Sequence, residues 1–329
     1  MIPPGTVVLV TGGSGFIGCN LVAYLGHQEC RVRSLDIRPL PDDMQDSNEV
    51  LHVTGDITDS ETLKRAVDGA GVVFHLAGLV TQKGASRADY RRVNVEATRT
   101  LLETCERAGV RQFIYCSSDS VSGPIRRPPA RESDPCFPDN IYGITKYAAE
   151  SEVLQFAGAM HVTIVRPTRT YGPWDVRMLE IFRRIQKKTF YMVGAGDVLF
   201  HPVYIGDLMD GFARCAEMRT GSGEIFYLGG ASPLRLKDFL NIVAEYLHVR
   251  LPRFRVPLFP ALVGAFFIEK GCSLLGMAPP VTRRNLEFFS RHRAYDISKA
   301  KAMLGFSPRV NPEEGVRRTG DWYRERGYI

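Results

Sequence analysis

The sequence predicts an α/β protein built on a doubly wound parallel sheet, and three observations carry that expectation. Short, β-branched apolar runs recur through the first half of the chain with helix-period segments between them. The first run stops at glycines that open a helix, and the second stops at a carboxylate. Past residue 166 the alternation breaks down, which predicts a smaller second domain.

Residues 6–10 (TVVLV) form the first such run, bounded by Thr11-Gly12-Gly13. A run without polar alternation is what a strand covered on both faces requires. Helix-like periodicity follows over 15–26, then a strand over 31–36 (RVRSLD). Further strands are expected at 50–54, 72–76, 112–116 and 162–166, with helices at 60–67, 90–108 and 142–156. Segments 203–216 and 224–230 again resemble pieces associated with the sheet. The expected division is a Rossmann-type dinucleotide domain over 1–167, with returning segments near 201–230. An α/β substrate domain is expected from 168–200 and 231–329.

Of the 329 residues, 44% are hydrophobic and 24% charged, as in ordinary soluble globular proteins. The +6 charge is dispersed, which argues against a nucleic-acid partner. Seven cysteines occur without CxxC pairs, and no Cys/His spacing suits a metal. A reducing, cytoplasmic setting without a disulfide framework is therefore expected. The N-terminal residues lack the basic and apolar regions of a signal peptide.

The first chemical motif is TGGSGFIG at 11–18. Gly12 permits the tight turn, Gly15 lets a pyrophosphate approach the backbone, and Gly18 allows close helix–strand packing. Phe16 and Ile17, within the same motif, are expected to bind the cofactor with these glycines. Asp36 ends the second strand, 18 residues beyond Gly18, where a carboxylate can accept from a ribose diol. It would repel a 2′-phosphate, so NAD is the expected cofactor. Arg38 keeps NADP as the alternative.

The second motif is Ser117-Ser118 after a strand, with Tyr142 and Lys146 downstream. Four residues apart on a helix, Tyr142 and Lys146 share a face. An ammonium beside a phenol lowers its pKa, giving a group able to exchange a proton with a hydroxyl or carbonyl. A serine at a strand end can hold the same oxygen. The expected catalytic set is Tyr142 and Lys146 with a serine of the Ser117-Ser118 pair.

These motifs resemble those of extended short-chain dehydrogenases/reductases, and the likeness runs nearly the whole length. It is carried by TGGSGFIG, LDIR at 35–38, GDITD at 55–59, FHLAG at 74–78, NVEATRTLLE at 94–103, YCSSDSVSG at 115–123, YGITK at 142–146 and YDISKAKAMLGFSP at 295–308. The resemblance implies that Asp56 and Ile57 lie near the adenine and that Ala77 and Gly78 line the cofactor cleft. It implies that Lys146 bonds the nicotinamide ribose and that Asn94 props the active-site helix. It implies that Ser118, three residues before Val121, is the catalytic serine, with Ser117 and Ser120 the lesser candidates. A homodimer through the helices at 94–108 and 142–156 is also implied.

Two branches of this group compete. Sugar-nucleotide epimerases and dehydratases carry an asparagine where this chain has Arg169, and an arginine after a GxG turn where it has Phe200. Arg169 or Arg177 stands as a substitute. The other branch, similar to 3β-hydroxysteroid and sterol dehydrogenases, carries SSxxVxGP, RPTxxYGP and an apolar helix before a PPxTR-like element. All three have counterparts here, at 117–124, 166–173 and 256–268 followed by 279–283. The favoured expectation is therefore NAD-dependent interconversion of a secondary alcohol and ketone on a hydrophobic, sterol-like substrate. A sugar-nucleotide 4-epimerase or dehydratase is the alternative. Thr81, Arg169 and Phe200 are the expected substrate residues. The 13-residue uncharged run at 256–268 is too short to span a bilayer, which needs about 20 residues. It reads as a buried helix lining the substrate side. An interfacial helix in peripheral contact with a membrane, or an apolar-ligand helix, is the alternative.

Overall fold

The computed structural model describes residues 2–45, 50–80, 84–218, 221–252, 254–274, 277 and 282–329. Its central sheet has strands β1 (Val7–Thr11), β2 (Arg31–Asp36), β3 (Val50–Thr54), β4 (Ala70–His75), β5 (Gln112–Cys116), β6 (His161–Pro167) and β7 (Glu224–Leu228). They lie in the order β7-β6-β5-β4-β1-β2-β3, every pair parallel. The chain leaves β1 toward one edge and returns through β4 toward the other. That reversal opens a crevice beyond the carboxyl ends of β1 and β4, where an open α/β sheet binds its ligand.

Period-two alternation explains the two cores. Val8 and Val10 of β1, Val72 and Phe74 of β4, and Ile114 and Cys116 of β5 face one side. Leu9, Val73, Phe113 and Tyr115 face the other. Helices cover both. On the first side lie α1 (Phe16–Gly26), through Leu21, Val22 and Leu25, and α5 (Ile205–Glu217), through Leu208 and Phe212. On the second lie α2 (Ser60–Val67), α3 (Ala97–Arg107) and α4 (Ile141–Gln155), through Leu63, Leu101, Leu102, Ala149 and Val153. Burial on both faces is why these strands read as continuous apolar runs.

The helix expected at 90–108 differs in detail. Arg87–Arg91 is α-helical, Arg92–Glu96 is a π-turn, and α3 follows directly. The π-turn inserts an extra residue into the helix and buries Asn94 toward the cleft. Periodicity could not show this, because one inserted residue leaves the helical pattern on either side intact.

The C-terminal region adds three short strand pairs: Arg169–Tyr171 with Pro202–Tyr204, Leu199–Phe200 with Leu234–Arg235, and Met192–Val193 with Arg255–Val256. Phe182, Phe239, Leu240, Phe306 and Val316 continue the first core into this region. The apolar run expected to be a buried helix forms α6 (Leu258–Leu274), followed by α7 (Arg283–Ser290). Ala265 is buried, but Phe259, Val263, Phe266 and Phe267 are exposed. That expectation is therefore corrected. Only the stripe around Ala261, Leu262 and Ala265 packs, against Val193, Leu286 and Phe289. No helix of the described residues is long and apolar enough to cross a membrane.

Candidate active site

The residues expected to hold a cofactor gather at the carboxyl edge of the sheet. Gly12 turns out of β1 with φ +74°, and a Cβ there would stand 2.6 Å from the Ala77 nitrogen. A Cβ on Gly18 would collide with the Gly12 carbonyl, so only glycine lets α1 approach the turn. Gly15 caps α1 without a side-chain bond. The first N–H groups, from Phe16 and Ile17 onward, therefore lie at an open, electropositive helix end.

Asp36 ends β2, nearly buried, with Oδ2 accepting from the Ser14 N–H (3.1 Å) and Oδ1 from the Arg38 N–H (3.0 Å). The glycine loop and the strand end thus hold the carboxylate at the rim. The Arg38 guanidinium lies 3.7 Å from Asp36 and donates to the Ser14 carbonyl. One strand further on, Asp56 is exposed with Oδ1 accepting from the Thr58 N–H (2.8 Å), and Ile57 is buried.

The segment after β4 is held by a hydrogen-bond chain whose direction can be assigned throughout. Ala77 N–H donates to Thr11 Oγ1 (3.3 Å), and Thr98 Oγ1 donates to the Asn94 carbonyl (2.8 Å). Between them His75 meets Thr11 at Nδ1 (2.7 Å) and Thr98 at Nε2 (2.9 Å). Thr98 has spent its proton on Asn94, so His75 donates from Nε2 and accepts from Thr11 at Nδ1. Burial, aided by the charge of Lys146, pushes the His75 pKa down to about 3 and keeps the ring neutral. Asn94 completes the frame. Its Oδ1 accepts from the Leu79 N–H (2.6 Å), and its Nδ2 donates to the Leu79 carbonyl and to Thr145 Oγ1 (both 3.0 Å). This network fixes Ala77 and Gly78 against both β1 and α4. FHLAG contains His75, but only the fold shows what its ring touches.

Asn140 caps α4 by accepting from the Gly143 N–H (3.0 Å), which sets Tyr142 and Lys146 in its first two turns. Lys146 is only 3% exposed, with Nζ 4.2 Å from the centre of the Tyr115 ring. Among the described residues it has no hydrogen-bond acceptor. Burial lowers its pKa to about 8, with Cys116 and Glu150 opposing. A nearly buried ammonium lacking an acceptor, beside an uncapped helix end and a fixed carboxylate, suits a dinucleotide with its ribose hydroxyls. Tyr142 departs from the sequence expectation: its pKa is raised. Burial is the main cause, with Cys116 and Asp119 adding to it, and a Ser118 hydrogen bond and Arg177 pulling the other way. Lys146 rests on Tyr115 instead, so the chain by itself leaves Tyr142 a neutral phenol.

Of the serines after β5, Ser117 is buried and donates to Glu150 (2.5 Å). Glu150 is gripped by both Nε (2.9 Å) and an η-nitrogen (2.6 Å) of Arg166. Ser118 remains half-buried, donating to Asp119 (3.3 Å), accepting from the Ser120 N–H (3.1 Å) and reaching Tyr142. Sequence reasoning missed Glu150, although it falls four residues past Lys146 on the same helical face.

On the substrate side, Arg169 has a buried Nε with no partner among the described residues. Its pKa is lowered, first by burial and further by Arg177 and Arg293, with Asp175 and Asp119 opposing. Phe200 does not act as a cleft residue. It is buried, its ring 5.0 Å from Phe239 and 5.8 Å from Phe288. Thr81 and residues 279–281 lie outside the described residues.

A model of the NAD dependent epimerase/dehydratase family matches residues 8–229. The chain belongs to that family. Over its length this epimerase/dehydratase-family chain is similar to the 3-beta-hydroxysteroid dehydrogenase of Mycolicibacterium neoaurum, at 29% identity across 97% of this chain and 91% of that protein. It is also similar to the decarboxylating sterol-4-alpha-carboxylate 3-dehydrogenase ERG26 of Saccharomyces cerevisiae, at 26% across 97% and 98%. The structure of MoeE5 in complex with UDP-glucuronic acid and NAD superposes with a TM-score of 0.78 at 27% identity, covering 97% of this chain and 99% of that one. The extended short-chain dehydrogenase/reductase resemblance and the doubly wound α/β fold are thereby established.

Proposed function

We propose that this family member interconverts a secondary alcohol and a ketone on a hydrophobic, sterol-like substrate, using NAD. The observation that carries the reading is the absence of a cation at position 200. Where the sugar-nucleotide branch places a phosphate-gripping arginine, this chain packs an aromatic ring against Phe239 and Phe288. The full-length similarity to two steroid and sterol dehydrogenases supports it.

Oxidised NAD, when bound, supplies the hydride acceptor and a positive charge favouring the Tyr142 phenolate. The open end of α1 takes the pyrophosphate, Asp36 the adenosine ribose, and Lys146 the nicotinamide ribose. Asp36 favours NAD over NADP because a 2′-phosphate would face its carboxylate. Tyr142, as phenolate, removes the proton from the substrate hydroxyl while Ser118 holds the same oxygen. Arg169 offers an unpaired donor that a further substrate oxygen would take.

A second reading rests on a different observation. The charges of Arg177 and Arg293 both reach Arg169, a cationic grouping suited to a nucleotide diphosphate. Incubation with NAD and two panels separates the readings. Hydroxysteroids yielding stoichiometric NADH identify the dehydrogenase. Isomerised UDP- or dTDP-sugars without net NADH identify the epimerase and overturn the proposal.

A further inference from the structure

The exposed face of α6 is not used by the chemistry above. Phe259, Val263, Phe266, Phe267 and Lys270 fall at i, i+4, i+7, i+8 and i+11, a single stripe along the helix. Phe259 is 77% and Phe267 66% exposed, while the opposite stripe packs on the body of the protein. Phe254, 67% exposed, extends the patch through its edge contact with Tyr191, 6.5 Å between ring centres. Residues 190–193 and 254–256 are joined by the Met192–Val193 and Arg255–Val256 pairing.

The two chain segments bordering this patch carry charge of one sign. Residues 181–196 and 246–268, the two segments that meet in that pairing, contain no Asp or Glu. They contribute the exposed cations Arg184, Lys187, Lys188, Arg250 and Arg255. Arg184 is paired with Glu180. Lys270 lies on the apolar stripe itself, 6.0 Å from the Phe266 ring. Glu269 is held by Arg283, which neutralises the acid nearest the stripe.

We infer that α6, with Phe254 and Tyr191, lies in the headgroup region of an anionic lipid bilayer. The phenylalanines enter the acyl boundary and the flanking lysines and arginines meet lipid phosphates. The helix lies on the surface because its uncharged run of 13 residues is too short to cross. A cavity of about 360 Å³, lined by Asp139, Asn140, Glu269, Arg283 and Glu287, separates α6 from the N-terminal end of α4. The inference stands on surface chemistry alone and does not depend on the substrate reading.

The test is co-sedimentation of the full chain with vesicles of phosphatidylcholine alone and with about 30 mol % phosphatidylglycerol. We expect binding to the anionic vesicles that weakens with added salt, and a loss of about tenfold or more in Phe259→Ser/Phe267→Ser. Both side chains are exposed, so NAD binding and circular dichroism should match the parent and exclude misfolding. Absence of sedimentation at low salt would overturn the inference, as would sedimentation unchanged in the double variant. A third overturning result is a dimer, seen by light scattering, that the double substitution dissociates while vesicles bind neither form. The face would then be covered by a second copy.

Discussion

The directed chain through His75 leads to a quantitative prediction about acid stability. His75 is wholly buried and its pKa falls from the usual 6.5 to about 3. An unfolded chain takes up the proton as pH drops through 6.5, while the native protein does not until about 3. Stability is therefore complete above 6.5 and is lost as pH falls, by about 1.4 kcal/mol per unit while that one-proton difference lasts. Between pH 6.5 and 4.5 the ring should cost the native state about 3 kcal/mol. His75→Gln keeps one donor and one acceptor but does not titrate. It should be less stable than the parent at pH 7 by about 1–3 kcal/mol, through imperfect bonds to Thr11 and Thr98. That gap should close or reverse by pH 4.5. Urea unfolding is a suitable assay, followed by fluorescence of Trp174 and Trp322, whose rings lie 5.3 Å apart. Other acid-titrating groups are common to both proteins and cancel. A stability gap that stays the same at pH 7 and 4.5 would refute a His75 that stays neutral in the native state.

Other outcomes follow from the same geometry. Tyr142→Phe should reduce turnover by roughly 100-fold or more with NAD affinity retained, because only the proton-transfer group is lost. Near-normal rates would remove Tyr142 from the mechanism. Lys146 loses its ammonium as pH rises through about 8, so kcat/KM should fall above that pH. Lys146→Arg should move the limb upward. Asp36→Ala should raise the Kd for NAD more than that for NADP, measured by titration calorimetry. Glu150→Ala leaves Arg166 buried without its carboxylate and should destabilise the fold by about 3–5 kcal/mol in denaturant titrations.

The sequence by itself determined the sheet, the glycine turn after β1 and the Tyr142–Lys146 face. Each rests on local periodicity or on spacing within one element. Strands buried on both faces must be apolar throughout, a turn with φ +74° demands glycine at position 12, and residues four apart share a helical face. The tertiary structure decided what depends on contacts between distant elements. The π-turn brought Asn94 to Leu79 and Thr145, and the fold closed the chain from Thr11 through His75 to Thr98. Packing placed Lys146 against Tyr115 and left Tyr142 with a raised pKa, where spacing alone predicted a lowered one. It also buried Phe200 and exposed one stripe of α6. Uniform hydrophobicity along 256–268 marks a segment that avoids water, but only its neighbours determine which side of the helix they cover.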